Sequence, residues 1–150
     1  MIVLHPIDCG GRPLGELAPL GEELVAACRQ TADLYLRVGY EPPWVGYVAA
    51  DERCGVGGGA FVGAPRDGVV EIAYFTLHEF TGCGYATQTA TELVAIARRT
   101  APEIILKAFT LPQENASTRI LTRLGFAKIG VAHDADAGEA WEWRTAAPVG

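Results

Sequence analysis

Residues 79–87 read EFTGCGYAT, and they lie between an apolar, strand-like run (Val69–Leu77) and a helix-patterned run (Tyr85–Arg99). Gly82 and Gly84 strip side chains from this strand-to-helix turn, so it can present bare backbone N–H groups. The helix that follows adds its unsatisfied first-turn donors and the positive end of its dipole. Such a turn suits an anion, above all a phosphate. It can equally be a plain tight connection, so the flanking sequence must decide.

Upstream, Trp44–Ala50 and Gly55–Val62 read as strands on either side of a turn at Asp51–Arg53, the second weakened by three consecutive glycines. Pro65-Arg66-Asp67-Gly68 is a strong turn signal. These two strands and Val69–Leu77 are therefore expected to form an antiparallel meander. Before them, Leu24, Cys28, Ala32, Tyr35 and Leu36 recur at helical spacing within Leu20–Val38, with Glu22 and Glu23 in the first turn. Pro42 and Pro43 forbid continuation. Residues 1–19 are short apolar pieces broken by Gly and Pro, enough for one strand and a loop.

Downstream, the helix places Ala86, Thr89, Ala90, Leu93, Val94 and Ala97 on one face, and Ile104–Phe109 reads as a strand apolar enough for burial on both faces. Strand, crossover helix and strand in that order imply a parallel pair. A short helix from about Asn115 to Leu124, ended by Gly125, leads to a closing hairpin of Phe126–His133 and Glu139–Arg144 around Asp134–Gly138. The expected class is α/β (α+β): antiparallel strands first, a βαβ unit in the middle, a hairpin last.

A chain of 150 residues fits one domain spanning 1–150, and 49% apolar with 20% charged residues marks it as globular. No apolar run approaches the roughly 20 residues that span a bilayer, and the N-terminus lacks a secretory pattern. Cys9, Cys28, Cys54 and Cys83 are scattered, with no CxxC pair or His cluster. Neither a metal site nor a disulfide framework is indicated, and free thiols in the cytoplasm are expected. A net charge of −6 and a pI near 5.0 argue against nucleic-acid partners. The same charge is compatible with a cationic substrate and with simple solubility.

Two phosphate readers fail at the turn. A Walker A loop needs Lys after its last Gly, where Tyr85 stands. A dinucleotide fingerprint needs Gly or Ala where Thr87 stands, and an opening parallel strand. Thr81-Gly82-Cys83-Gly84-Tyr85-Ala86 instead resembles the Gln/Arg-x-x-Gly-x-Gly/Ala signature of the GNAT superfamily of acyl-CoA-dependent N-acetyltransferases, with Thr81 in place of the Gln or Arg. TLPQENASTRILTRLGF (residues 110–126) resembles that superfamily's late strand–helix segment. Trp141-Glu142-Trp143-Arg144 resembles the last strand of the branch with the ribosomal-protein alanine acetyltransferases. The resemblance runs from about Trp44 to Arg144 and is faint before it.

The resemblance implies a GNAT fold, with a mixed, largely antiparallel sheet, a splayed parallel strand pair and helices on both faces. It implies acetyl-CoA as co-substrate, without a metal, and a primary amine, small-molecule or peptide, as acceptor. Backbone groups of Phe75, Thr76 and Leu77 are expected to pair with the pantetheine arm. The pyrophosphate is expected on the amides of Gly82, Cys83, Gly84, Tyr85 and Ala86, with Thr87 in the same turn and the Thr81 hydroxyl as a further donor. Asn115 is a pantetheine contact or simply a helix N-cap. Ser117 is the expected donor to the departing sulfur, because the helix position where many relatives carry Tyr is Leu121. Glu71, an acid within an apolar strand, is a candidate base, a substrate contact or a solvent-facing residue. His78 and Glu79 read as turn residues, and His5 and His133 have no partner that suggests chemistry. Dimers are common in the family. A catalytically silent acyl-CoA-binding sensor or interaction module is the alternative reading; the acceptor's identity is not legible.

Overall fold

The computed structural model describes residues 1–134 and 138–146. The chain runs β1 (Val3–Pro6), α1 (Glu22–Val38), β2 (Gly46–Ala50), β3 (Gly55–Phe61), β4 (Val69–Thr76), α2 (Tyr85–Thr100), β5 (Ile105–Thr110), α3 (Ala116–Arg123), β6 (Phe126–Asp134) and β7 (Gly138–Thr145). One 3-10 turn, His78–Phe80, lies between β4 and the glycine turn. All seven strands join one sheet in the order β1-β2-β3-β4-β5-β7-β6. Among the described residues, only β4 and β5 pair in parallel. The mixed sheet with one parallel pair is the architecture that the element order implies. The expected closing turn around Asp134–Gly138 falls largely on residues 135–137, outside the described residues.

Helices cover both faces of the sheet because small residues let them approach. A Cβ on Gly59 of β3 would lie 2.8 Å from Leu93 and 2.9 Å from Thr89, so α2 packs directly on that backbone. On the opposite face, a Cβ on Gly46 would meet the Thr31 methyl of α1 at 2.5 Å. Leu24, Cys28 and Tyr35 are the buried side of α1, and the Tyr35 hydroxyl donates to the Ile7 carbonyl at 2.8 Å. It accepts from the Gly46 amide at 2.9 Å, and burial pushes its pKa up to about 12. Leu36, read from sequence with the apolar set, is 87% exposed. The buried set Leu24, Cys28 and Tyr35 spans only about 40° of the helix, and Leu36 lies about 100° round from Tyr35, off that narrow stripe.

The main core lies between the sheet and α2 with α3, where Phe61, Ile72, Leu93, Leu106 and Leu121 are fully buried. Each such side chain contributes about 1.5–3 kcal/mol relative to leaving it exposed. The Trp143 indole N–H donates to the Thr110 hydroxyl at 3.0 Å and ties β7 to β5. No helix among the described residues is long and apolar enough to cross a membrane.

What positions the site is an incomplete ladder. β4 has eight residues but pairs with β5 only through Val69–Ile105, Val70–Leu106 and Glu71–Lys107. Beyond Glu71, β4 continues to Thr76 on β3 alone, while β5 continues on β7. The two parallel strands thus part in mid-sheet and leave a backbone edge unpaired.

Candidate active site

The pairing with β3 decides which backbone groups line this gap. The Glu71 carbonyl accepts from the Val62 amide at 2.9 Å, and the Leu77 amide donates to the Val56 carbonyl at 2.8 Å. Backbone groups of odd-numbered residues on β4 therefore turn to β3. Alternation turns Tyr74 and Thr76 toward the gap. Of the three residues expected from sequence to offer backbone groups to a ligand, Thr76 turns them to the gap. Phe75 and Leu77 direct their backbone groups to β3, and the Leu77 carbonyl also accepts from Phe80 at 2.9 Å. Tyr74 takes the expected place of Phe75 along the edge, a fact that register parity decides and composition does not.

The gap opens into a cleft of about 360 Å³ that reaches Gly82, Gly84, Ala86 and Thr87 at one end and Ser117 of α3 at the other. Gly82 and Gly84 both have φ of 81°, and Gly84 is the N-cap of α2 with no side-chain cap. The first amides of α2 therefore face the cleft unfilled, which is the arrangement an anion completes. Nothing lies within 4 Å of a Cβ position at either glycine, so conformation and an open approach select Gly there. The turn is anchored through Tyr85, whose hydroxyl donates to Asp51 at 2.8 Å. The Cys54 and Arg53 amides, together with that hydroxyl, hold the Asp51 carboxyl well below the usual range. The Thr81 hydroxyl is already given to the His78 carbonyl at 2.8 Å. Cys83 is exposed in the turn and does not line the cleft.

Positive charge comes instead from α3. Arg119 and Arg123 both line the cleft, one helical turn apart on a single face. Their spacing was visible in the sequence, but their aim depends on how α3 packs. Asn115 is the N-cap of α3: its side chain accepts from the Thr118 amide at 3.0 Å, and the Thr118 hydroxyl accepts from the Asn115 amide at 3.0 Å. This capping box satisfies two orphan donors. Ser117 sits in the first turn of α3 and lines the cleft, whereas Leu121 is fully buried in the core.

Two residues lining this cleft carry a buried hydroxyl that makes no hydrogen bond of standard geometry. Tyr74 Oη and Thr76 Oγ1 are the buried side-chain polar atoms without a hydrogen bond among the described residues. Both belong to residues lining the cleft. Burial pushes the Tyr74 hydroxyl up to about 12, with Ser117 drawing it partly back. Buried hydroxyls without a partner are rare, and these two belong to residues of the unpaired strand edge.

A second groove, of about 290 Å³, lies on the opposite face, between α1 and the floor formed by Gly58, Ala60 and Ala73. It shares two lining residues, Tyr74 and Phe75, with the first cleft. The Phe75 ring lies across Gly58, where a Cβ would come within 2.8 Å of it, and Phe75 remains 42% exposed. Among the described residues no Asp or Glu lines this groove, and Arg37 is the one charged residue that does. Glu71 shares the Ala73–Phe75 face of β4 but lines the adjoining cavity of about 660 Å³, with Lys107, Arg144, Arg37, Arg66 and Asp67. Four residues along the strand separate it from Phe75, about 13 Å. Burial raises the Glu71 pKa, Lys107 lowers it and Glu142 raises it. His78 and Glu79 are exposed, and His5 Nδ1 contacts the Leu14 carbonyl at 3.0 Å.

The family model of the acetyltransferase (GNAT) domain matches residues 22–127. No curated protein matches by sequence. Among solved structures, an IAA acetyltransferase from Bacillus cereus is similar with a TM-score of 0.71 at 14% identity, over 97% of this chain and 99% of that one. The ribosomal L7/L12 alpha-N-protein acetyltransferase RimL, in complex with coenzyme A, gives 0.63 at 18% identity, over 82% and 71%. The microcin C7 self-immunity acetyltransferase MccE, in complex with acetyl-CoA and AMP, gives 0.65 at 14% identity, over 82% and 69%. At these identities the likeness is one of fold.

Proposed function

Since the chain belongs to the GNAT acetyltransferase family, we propose that it transfers an acetyl group from acetyl-CoA to a primary amine by direct attack in a ternary complex. The observation that carries this reading is that two clefts on opposite faces share Tyr74 and Phe75, on the strand edge that β5 leaves unpaired. One cleft offers a helix N-terminus, two arginines and an unpaired strand edge; the other offers an apolar groove.

In the first, the backbone of Tyr74 and Thr76 would hold the amides of the pantetheine arm by strand addition. The amides of Gly82, Cys83, Gly84, Tyr85, Ala86 and Thr87 would hold the pyrophosphate, with Arg119 and Arg123 supplying the charge that Thr81 does not. Ser117 would donate to the departing sulfur. The amine would enter along the second groove, its body against Phe75 and the α1 wall. That wall carries no carboxylate, which favours an apolar amine over a polyamine. Glu71, on the same face of β4, would accept the amine proton through water; at about 13 Å from Phe75 direct contact is out of reach. Its raised pKa makes it a better acceptor near neutral pH than an ordinary glutamate. Most of the acceleration would come from holding the two substrates in line. Residues 1–150 are read as one such domain, and four free thiols fit a cytoplasmic setting.

The test is turnover. The protein should release free thiol from acetyl-CoA in the presence of arylalkyl or alkyl monoamines, and more slowly with spermidine. A silent acyl-CoA-binding module, favoured by Leu121 in place of a helix tyrosine and by Thr81 in place of the Gln or Arg, would bind acetyl-CoA and release none.

A further inference from the structure

The cavity of about 660 Å³ at the start of β4 gathers positive charge from four elements: Arg37 of α1, Arg66 of the turn before β4, Lys107 of β5 and Arg144 of β7. A third of the twelve Lys and Arg residues thus line one cavity in a chain of net charge −6. Asp67 and Glu71 are the carboxylates that line it among the described residues. Lys107 stands opposite Glu71 in the last parallel pair, and Arg144 is held by Glu142 at 2.8 Å. Arg37 and Arg66 are exposed and make no ion pair among the described residues. Such an excess of one sign concentrates the opposite charge. Asp67 and Glu71 already answer part of the field, so a single negative charge suits it better than a phosphate dianion.

Arg37 also lines the apolar groove, and the two floors follow one another on a single face of β4. Val69 and Glu71 lie under the cavity, Ala73 and Phe75 under the groove. Along the strand, Ala73 is about 7 Å and Glu71 about 13 Å from Phe75. We propose that the acceptor is an amine whose far end carries a carboxylate, with its apolar body in the groove and its carboxylate between Arg37 and Arg66. The inference rests on the acetyltransferase reading given above and narrows its acceptor. A nitrogen beside Phe75 then stands about 7–13 Å from the carboxylate, with an apolar spacer between them. Each guanidinium can meet a carboxylate with paired N–H donors. A second ammonium in the same place would face the four cations, so a diamine is repelled. The tail contact is equal in the ground and transition states, so it acts on KM and not on kcat.

The experiment measures KM at saturating acetyl-CoA for three amines of equal chain length: 8-aminooctanoate, octylamine and octane-1,8-diamine. The eight-carbon chain extends about 10 Å, within the required span. At low ionic strength KM should be at least about fivefold lower for 8-aminooctanoate than for octylamine, a modest factor because exposed charges are well solvated. It should be highest for the diamine, and kcat should agree within about twofold for the first two. Added salt should shrink the advantage, since Arg37 and Arg66 are exposed. Arg37→Gln with Arg66→Gln should bring the KM ratio of 8-aminooctanoate to octylamine toward one, each amine serving as the other's reference on the same protein. Equal KM values for these two amines in the wild type would overturn the proposal, as would a preference that survives the double substitution. So would turnover of benzylamine without turnover of 8-aminooctanoate. A wild type that acetylates none of the four amines would overturn the acetyltransferase reading itself, and the inference with it.

Discussion

Glu71 is the residue whose role is most open to measurement. Burial raises its pKa above that of an ordinary glutamate, and Lys107 only partly offsets this. A raised carboxyl pKa means that the folded chain binds the proton more tightly than the unfolded chain. Ionised Glu71 therefore costs stability, and the cost grows as pH rises through its folded pKa. Glu71→Gln should consequently melt higher than wild type at pH 8, with the difference shrinking toward pH 4. The same variant should lose on the order of 10²-fold to 10⁴-fold in kcat if Glu71 takes the amine proton. Near-full activity with an ordinary alkylamine at neutral pH would remove Glu71 from that role. Ser117→Ala should lower kcat more than it raises KM for acetyl-CoA, since a bond to the departing sulfur strengthens as charge develops. A change in KM alone would make Ser117 a binding residue.

At the scale of elements, the proposed reading divides the work of holding an anion between the glycine turn and α3. Gly84→Asp places a carboxylate at the uncapped N-terminus of α2, and it also forces a side chain into φ of 81°. Coenzyme A affinity by calorimetry should fall at least tenfold, about 1.4 kcal/mol. Unchanged affinity in a folded variant would detach the turn from the cofactor. The α3 contribution is separable by salt. Arg119→Gln with Arg123→Gln should weaken coenzyme A binding at low ionic strength and flatten its salt dependence, because exposed charges act through a screened field. A double variant with wild-type affinity at low salt would leave the charge to the backbone amides alone.

Across the whole molecule, the elements were legible because nearly every boundary carries its own signal. Pro42 and Pro43 end the α1 pattern, Pro65–Gly68 turns β3 into β4, and Gly125 closes α3. The glycine turn was legible for the same reason: Gly82 and Gly84 are backbone requirements written as residues. What stayed hidden depends on how elements pack. That Tyr74, and not Phe75, offers its backbone to the gap follows from the register of β4 on β3. That Arg119 and Arg123 line the cleft follows from the seat of α3 against it. Asn115 was readable as a cap, and the capping box shows that cap formed. The most direct measurement is thiol release from acetyl-CoA by the purified protein with benzylamine, with the amine product identified by mass spectrometry. Release that requires both protein and amine, with N-acetylbenzylamine as the product, is what two clefts sharing Tyr74 and Phe75 predict. Tight binding of acetyl-CoA without amine-dependent release, across a panel of alkyl and arylalkyl amines, would contradict it.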